Sequence, residues 1–455
     1  MRRLYLNSPR IDGPSPLGES VPMAPRISAL RAHDVRFPTS DFAHGSDAMN
    51  PDPDYSAAVA VIETDDPELT GHGMTFTIGR GTELCVGAIR AFERHVVGQD
   101  LDAIESDLGA FWRSLAGDSQ LRWLGPEKGA IHLGMAAVVN AVWDLAARRA
   151  RKPLWKYMAD LSPEALVRAV DFRHISDVLS PQAARALLEE KRAGRAEREA
   201  WLLREGYPAY VTSAGWLGYA EETIRQRCRS AITEGWTHFK IKVGADVEDD
   251  IRRCRVVREE IGPDHKLMVD ANQVWDVDEA IHHVQQLAEF DLHWIEEPTS
   301  PDDILGHARI AEALRPIRVA TGEHCHNRIM VKQLLQARAV DVLQIDGCRL
   351  GGVNEVIAAI LLAAHFDVPV CPHAGGVGLC EHVQHFSAFD YICVSGTLED
   401  RITEYADHLH EHFVHPVVMR GGRYRLPEAP GLGVEFKRES LDEFAFPDGP
   451  VWKER

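Results

Sequence analysis

Residues 237–262 read THFKIKVGADVEDDIRRCRVVREEIG and combine two kinds of periodicity. In the first part, apolar residues alternate with Lys240 and Lys242, which is the pattern of a β-strand. From Val247 onward the apolar residues recur at helical spacing, so the stretch predicts one strand followed by one helix. The two lysines share one face of the strand, where their charges repel each other unless other groups compensate.

The same order of strand and helix repeats along the rest of the chain. Strand-like segments are THFKIKV, KLMVDAN, LHWIEEP, IRVATGE, VDVLQID, VPVCPHA and YICVSG, and helical segments such as GVNEVIAAILLAAHF lie between them. This alternation is the signature of successive βα units around a parallel sheet. Seven or eight units suit a closed barrel better than an open sheet, so we predict an α/β fold built on a TIM-type barrel.

The earlier part of the chain, from about residue 27 to 160, has a mixed pattern. RISALRAHDVRF and SAAVAVIETD predict strands, whereas ELCVGAIRAFERHVV and MAAVVNAVWDLAARRA predict amphipathic helices. This mixture is typical of an α+β domain. Residues 181–205 are polar and predict one exposed connecting helix, and residues 1–26 predict a flexible N-terminal tail.

The composition limits the possible partners and the location. The formal net charge is −19 over 455 residues, which argues against nucleic acid or an anionic membrane as the main partner. The eight cysteines are scattered without a CxxC pair, so we expect reduced thiols and a cytoplasmic location. The N-terminus lacks the apolar segment of a secretory signal, and no run of about 18 apolar residues predicts a transmembrane helix.

The predicted strands end in ionisable residues. These are Lys242, Asp270, Glu296, Glu323, Asp346 and His373, at intervals of 28, 26, 27, 23 and 27 residues. In a barrel of this type the C-terminal strand ends face one mouth, where active sites lie, so the six side chains should converge on one cavity. A single carboxylate at such a position could instead cap the next helix, but a run of them on successive strands is harder to explain in that way.

Three of these residues, Asp270, Glu296 and Glu323, are acids on consecutive strands. Converging carboxylates repel each other unless a cation joins them, and oxygen ligands alone indicate a hard ion such as Mg²⁺. The segment WIEEP offers both Glu296 and Glu297. Because neighbours in a strand point to opposite faces, we expect only one of the two to line the mouth.

The next two strands end in Asp346 and His373. A carboxylate on one strand can hydrogen-bond an imidazole on its neighbour, which orients the ring and raises its basicity. The sequence therefore predicts an acid–base dyad, with a lone structural histidine as the alternative.

Taken together, these residues resemble the mandelate racemase group of the enolase superfamily, in which a KxK strand precedes three acids and an Asp–His dyad. Further segments resemble the L-fuconate dehydratase family, namely GSDAMNPDPDYSAA, TFTIGRG, DSQLRWLGPEKGAIH, GYPAYVTSAGWLGY, WIEEPTSPDD, RLGGVNE and CPHAGGVGLCEHVQH. The similarity extends from about residue 27 to 452. It implies a modified (β/α)7β barrel over residues 161–424 and an α+β capping domain over residues 27–160, which residues 425–455 complete.

The resemblance also implies a role for each site residue, and it selects Glu296 rather than Glu297. The implied roles are Mg²⁺ ligation by Asp270, Glu296 and Glu323, proton abstraction by Lys242, carboxylate binding by Lys240, and proton donation by the Asp346–His373 dyad. The implied substrate-binding residues are Lys240, Asp47, Tyr55, Asn272, Glu323 and Glu404. A cation at Lys240 should also depress the pKa of Lys242, so that Lys242 can accept a proton near neutral pH.

The implied activity is that of a Mg²⁺-dependent hydro-lyase that converts L-fuconate to 2-keto-3-deoxy-L-fuconate. The alternatives are dehydration or epimerisation of another acid sugar and, from a different class, a non-catalytic binding protein on the same fold. The expected partner is a small acid sugar. A homo-oligomer is also expected, because members of the superfamily are commonly oligomers.

Two further features lie outside this scheme. His408 and His412 are spaced i, i+4 on a predicted helix, a spacing that can bind Zn²⁺. No third ligand is evident, so incidental histidines are favoured. Trp216 and Trp275 lie near predicted strand ends, where they could contact a substrate or simply pack.

Overall fold

The computed structural model describes residues 24–455, so most of the tail predicted at residues 1–26 lies outside the described residues. The described chain begins with a three-stranded antiparallel sheet in the order β1–β2–β3. Its strands are β1 (Ile27–Arg36), β2 (Ser56–Thr64) and β3 (Thr70–Thr77). The strands predicted in RISALRAHDVRF and SAAVAVIETD are thereby confirmed.

Helices cover this sheet and form a capping domain with it. They are α1 (Thr82–Ala91), α2 (Glu93–Val96), α3 (Leu101–Ser106), α4 (Leu108–Ala116), α5 (Leu121–Leu124), α6 (Gly129–Arg149), α7 (Leu154–Asp160) and α8 (Pro163–Ala169). The long helix α6 packs closely on β3, because a Cβ at Gly73 would lie 2.2 Å from the carbonyl oxygen of Ala137. Helix α6 is long and apolar enough to cross a membrane, but 83% of its apolar window is buried inside this fold.

The segment predicted as one connecting helix contains two. They are α9 (Pro181–Glu190) and α10 (Arg195–Glu205). The break falls at Gly194, whose φ of +77° is in the left-handed region that favours glycine. Leu188 and Leu202 are fully buried, so each helix is anchored on one side rather than exposed all round.

The barrel follows, as seven βα units and a final strand. Its elements are β4 (Tyr207–Gly215), α11 (Glu221–Thr233), β5 (His238–Lys242), α12 (Val247–Ile261), β6 (Lys266–Asp270), α13 (Val277–Gln286), β7 (Leu292–Glu296), α14 (Ile304–Ala313), β8 (Arg318–Thr321), α15 (Arg328–Gln336), β9 (Val342–Leu343), α16 (Val353–His365), α17 (Leu379–Phe389) and β10 (Thr403–Tyr405). Between α16 and α17 the chain pairs in parallel with β9 through Val370. Strand β10 pairs with β4, which closes the ring. The predicted (β/α)7β barrel is confirmed.

Two sequence assignments around this closure need correction. YICVSG, predicted as a strand, is a π-helix over Asp390–Ser395 that continues α17. A short apolar run with β-branched residues cannot be distinguished from a buried helix by periodicity alone. The closing strand β10 lies instead in TEY, which is too short to show alternation. The long strand β4 was also not predicted as a strand.

The C-terminal segment first adds a hairpin that pairs with β4 of the barrel and then returns to the capping domain. It contains β11 (Val418–Met419), β12 (Arg423–Arg425), α18 (Arg438–Glu443) and α19 (Pro450–Lys453). Ala445 pairs with Val35 of β1, and the indole Nε1 of Trp452 donates to the carbonyl of Arg36 at 3.0 Å. Strand β1 at the start of the described chain is therefore packed against residues near its end. The domain boundaries at residues 160 and 424 stay a prediction.

Candidate active site

A cavity of about 380 Å³ lies at the C-terminal ends of the barrel strands, under the capping domain. The capping domain contributes Asp47 and Tyr55 to its wall. The barrel contributes Lys242, Asn272, Glu323, Asp346, His373 and Glu404. Four of the six predicted strand-end residues therefore line this cavity, whereas Asp270 and Glu296 are fully buried outside its lining.

Lys240 and Lys242 each contact carboxylates on neighbouring strands. The Nζ atom of Lys240, which is buried, lies 2.5 Å from Glu296, 2.8 Å from Glu404 and 3.3 Å from Asp270. The Nζ atom of Lys242 lies 2.6 Å from Oδ2 of Asp270. Since each ammonium group faces carboxylates, these contacts offset the repulsion between the two lysines.

The expected depression of the Lys242 pKa is not found in this arrangement. Burial, the largest single effect, and the nearby Lys240 both lower the pKa of Lys242, but the carboxylates of Asp270, Asp47 and Glu323 together outweigh them and hold it above its usual range. The same contact, together with Lys240, lowers the pKa of Asp270 although burial raises it. A neutral Lys242 therefore requires that its contact with Asp270 be weakened.

The acids at the mouth outnumber the lysines. Burial together with other carboxylates raises the pKa of Glu296 to about 8, despite its contact with Lys240. Burial and Glu297 likewise raise the pKa of Glu323 to about 7. Such an uncompensated cluster of oxygen ligands fits a hard divalent cation. The chain also fixes the orientation of these groups, since Trp294 Nε1 donates to Glu296 at 3.2 Å and the backbone N–H of Asn272 donates to Asp270 at 3.0 Å.

Asp346 and His373 form the predicted dyad. His373 Nδ1 lies 2.9 Å from Asp346 Oδ2, and the other oxygen of Asp346 accepts hydrogen bonds from the amides of Cys348 and Arg349. Burial alone would lower the pKa of His373, but Glu323 and Asp346 raise it to about 10. The bond to His373 in turn lowers the pKa of Asp346 to about 2, against the effect of burial. The dyad is therefore an ion pair that can donate a proton from the imidazolium.

Glu297 belongs to a second group that strand alternation did not predict. Strand β7 ends at Glu296, and Glu297 has φ of +44°, so the alternation of faces does not extend to it. Its Oε1 atom lies 2.7 Å from His324 Nδ1, and Gln273 Nε2 donates to both of its oxygens. One ligand atom from each of Glu297, Glu323 and His324 lies within 4.8 Å of the others. Glu323 therefore stands between the two groups.

The predicted substrate-binding residues line the same cavity except for Lys240, which is buried among carboxylates outside the lining. Asp47 accepts hydrogen bonds from the backbone and side chain of Asn50, and burial raises its pKa although Lys242 lowers it. Tyr55 packs edge-on against Phe76 with ring centroids 5.1 Å apart. The Asn272 Oδ1 atom is buried and has no hydrogen-bond partner among the described residues. Glu404 accepts from the amide of Ala374 at 2.7 Å while it also contacts Lys240.

Three features noted or missed in the sequence are now placed. Trp216 lines the cavity, and Trp275 is buried outside its lining. His408 does not share a helix with His412, because only residues 410–412 form a short 3-10 turn, and His408 packs against Trp216. Arg349 also lines the cavity and was not predicted, because a single arginine in a loop carries no periodic signal.

Comparison with known proteins decides the family. The family described as "Enolase C-terminal domain-like" matches residues 223–440. The crystal structure of human mitochondrial enolase superfamily member 1 has a TM-score of 0.94 and 55% identity, and the match covers 95% of this chain and 99% of that one. The chain belongs to the enolase superfamily. The superfamily predicted from the strand-end residues is thereby confirmed.

Other members of the enolase superfamily show what such relatives do. The L-galactonate dehydratase of Hypocrea jecorina is 53% identical over 426 residues, which cover 92% of this chain and 94% of that protein. A racemase from Streptomyces coelicolor, solved with bound magnesium, has a TM-score of 0.71 and 26% identity over 92% of this chain and 99% of its own. The superfamily thus includes both a dehydratase and a racemase with this fold.

Proposed function

We propose that the chain is a Mg²⁺-dependent dehydratase of a six-carbon sugar acid, with L-fuconate as the first candidate and L-galactonate as the second. L-fuconate is L-galactonate without the 6-hydroxyl, so the two share one configuration at the reacting carbons. The carrying observation is that Lys242 and the Asp346–His373 dyad reach one cavity from different strands. Strands β4 and β10 lie between them around the barrel.

The proposed metal ligands are Asp270, Glu296 and Glu323, whose excess of buried negative charge fits the ion. When bound, Mg²⁺ would supply a Lewis acid for the carboxylate of the substrate. Lys240 is buried outside the cavity lining, where it contacts Glu296 and Glu404, so its positive charge would act on that carboxylate without touching it in this arrangement. Asn272, with its unpartnered Oδ1, is placed to accept a hydrogen bond from a substrate hydroxyl.

In the proposed reaction Lys242 Nζ removes the proton from C2 of the substrate. This step requires a neutral amine, which forms when Asp270 no longer holds the ammonium group and Lys240 remains beside it. His373 then donates the proton from Nε2 to the departing 3-hydroxyl, which leaves as water. The enol that remains tautomerises to the 2-keto-3-deoxy acid. Asp346 fixes the ring by accepting from Nδ1.

A screen of sugar acids tests this proposal. L-fuconate, L-galactonate, galactarate and their C2 epimers are incubated with the protein and Mg²⁺, and the formation of 2-keto-3-deoxy acid is measured. We expect product from L-fuconate or L-galactonate, loss of activity with EDTA, and recovery on adding Mg²⁺. Product from another acid only would assign a different substrate.

The same screen separates the alternatives. An epimerase would interconvert two acids without forming a keto product. Lys242 and His373, which reach the cavity from different strands, also permit this reaction. A non-catalytic binding protein would exchange no α-proton of any acid in D₂O with Mg²⁺, and that result would overturn the proposal. The homo-oligomer and the cytoplasmic location stay predictions, and the human relative compared above is described as mitochondrial.

A further inference from the structure

A second cavity of about 570 Å³ opens at the opposite, N-terminal end of the barrel. Its wall includes residues at the start of four strands, namely Pro208, His238, Lys266 and His293. The hairpin β11–β12 contributes Gly421, Gly422 and Arg423. We call this the basal cavity. A plug of buried side chains that includes Tyr210, Met268 and Trp294 fills the barrel above it.

The basal cavity has an excess of cations. Its charged lining residues are Lys266, Asp400, Arg401 and Arg423. The guanidinium of Arg401 lies 3.1 Å from Asp390, and Asp400 is occupied by Arg318, also at 3.1 Å. Over residues 24–455, neither Lys266 nor Arg423 makes an ion pair with a carboxylate. Arg423 donates to the carbonyl of Gly206 at 3.2 Å and lies over the Trp201 ring, but neither contact neutralises its charge. Among the described residues the cavity therefore has two cations without a carboxylate partner, although the whole chain carries −19.

Two imidazoles complete the polar wall. The rings of His238 and His293 are 5.7 Å apart and nearly perpendicular. Burial and the nearby Lys266 lower the pKa of His238 to about 4, and burial and Arg318 lower that of His293 to about 3. At neutral pH the rings are therefore uncharged. His293 already accepts from the guanidinium of Arg318, and His238 Nδ1 lies 2.8 Å from the Thr237 hydroxyl, so Nε2 of His238 is the ring nitrogen left to donate an N–H bond. Hydrogen-bond donors and the two cations without carboxylate partners therefore line one cavity. Asp400, the carboxylate in its lining, is already paired with Arg318.

We propose that the basal cavity binds a phosphate-type oxyanion, either inorganic phosphate or the phosphate group of a small metabolite. Lys266 supplies a point charge and Arg423 a planar fork of donors, which together match a doubly charged oxyanion. Lys266 is exposed and Arg423 half-buried, so a ligand can reach both from solvent. The site lies on the same strands as the candidate active site, but at their opposite ends. Binding can be measured without turnover, so this inference does not depend on the proposed function.

Calorimetric titration of the full chain with inorganic phosphate tests the site, at an ionic strength held constant with sodium chloride. We expect saturable binding of one phosphate per chain and a concentration-dependent rise in Tm. Lys266→Gln and Arg423→Gln should each weaken binding about tenfold or more, since each removes a charge-assisted bond. The matched control is Lys453→Gln, an exposed lysine on α19 outside the cavity, which should bind as the parent does.

Three outcomes would overturn the inference. They are the absence of saturable binding, an equal loss in the Lys453→Gln control, and displacement of phosphate by a sugar acid, which would place it in the other cavity. If Arg423→Gln fails to fold by circular dichroism, Lys266→Gln decides alone, because Lys266 is exposed. A parallel titration with glucose 6-phosphate identifies the source, since tighter binding than phosphate itself indicates a phosphorylated metabolite.

Discussion

At the scale of single residues, the two lysines of β5 differ in their surroundings. Lys240 is enclosed by three carboxylates, whereas Lys242 has one close contact and faces the cavity. An ammonium group surrounded on all sides holds its proton, so Lys240 acts as a fixed positive charge. Lys242 contacts one carboxylate directly, and Asp270 is the carboxylate that raises its pKa most. The two lysines have similar neighbours in sequence, but they differ in the number of carboxylates that surround them.

Replacing Lys242 with alanine or His373 with asparagine should each lower turnover by about 10³-fold or more, while circular dichroism stays unchanged. The two variants should differ in α-proton exchange. Lys242→Ala should lose exchange of the C2 proton in D₂O, because the base is gone. His373→Asn should retain it, because the histidine acts after that step. Near-parent turnover in either variant would contradict the assigned roles.

The pair Glu296 and Glu297 gives a second test. Glu297 is already bound by His324 and Gln273, whereas Glu296 faces Asp270 across Lys240. Glu296→Gln should therefore weaken Mn²⁺ binding, followed by electron paramagnetic resonance, beyond the roughly 10- to 100-fold loss typical of a group that only orients a ligand. Glu297→Gln should remain within that range. The opposite order would make Glu297 the ligand.

The spacing of strand-end residues was sufficient to predict which side chains meet, because each βα unit returns the chain to the same mouth. It could not predict the contacts of Glu297, which depend on a left-handed φ one residue beyond the strand. It also could not predict the pKa of Lys242. That pKa depends on the balance of burial and Lys240, which lower it, against Asp270 and the other nearby carboxylates, which raise it, and this balance is set by distances of a few ångströms.

At the scale of elements, the predictions succeeded where a segment has a clear periodicity and failed where it has none, so the two-residue strand β9 was predicted and the nine-residue strand β4 was missed. Helices α12 and α16 and strands β5 to β8 carry a clear pattern, and all were predicted. Strand β10 has three residues, and the π-helix over Asp390–Ser395 has a composition typical of strands. Whether such a segment forms a strand or a helix depends on hydrogen bonds and packing with residues far away in the sequence.

Gly322, between β8 and Glu323, offers a test of backbone geometry. It has φ of +143°, and a Cβ there would lie 2.7 Å from the carbonyl oxygen of Gln344. Gly322→Ala should lower the free energy of unfolding by about 1–3 kcal/mol and reduce activity, because Glu323 would shift. Urea unfolding and turnover measure the two effects. The control is Gly87→Ala on the exposed face of α1, which has open space and should be neutral or slightly stabilising. Equal effects of both changes would refute the steric argument.

At the scale of the whole molecule, Arg328 joins the capping domain to the barrel. Its fully buried guanidinium lies 2.8 Å from Glu127, 2.8 Å from Glu355 and 3.2 Å from Asp171. Glu127 precedes α6 of the capping domain, and Glu355 lies on α16 of the barrel. A cation enclosed in this way couples the two parts, because removing it leaves buried carboxylates without a partner.

Arg328→Met should therefore lower the free energy of unfolding by about 3–5 kcal/mol. Denaturant unfolding monitored by circular dichroism measures this loss. The matched control is Arg309→Gln, which removes an exposed arginine paired with Asp278 and should cost less than about 1 kcal/mol. A loss at Arg328 no larger than the loss at Arg309 would show that the buried cluster does not couple the two parts.

The pairing of Ala445 with Val35 also bears on how the molecule is made. A ribosome delivers the chain from its N-terminus, so β1 emerges long before the segment that covers its edge. During that interval every barrel strand is synthesised, and the edge of β1 in the capping sheet has no pairing partner. The segment that covers the edge of β1 is therefore synthesised after every barrel strand, and the first domain of the chain is completed after the second.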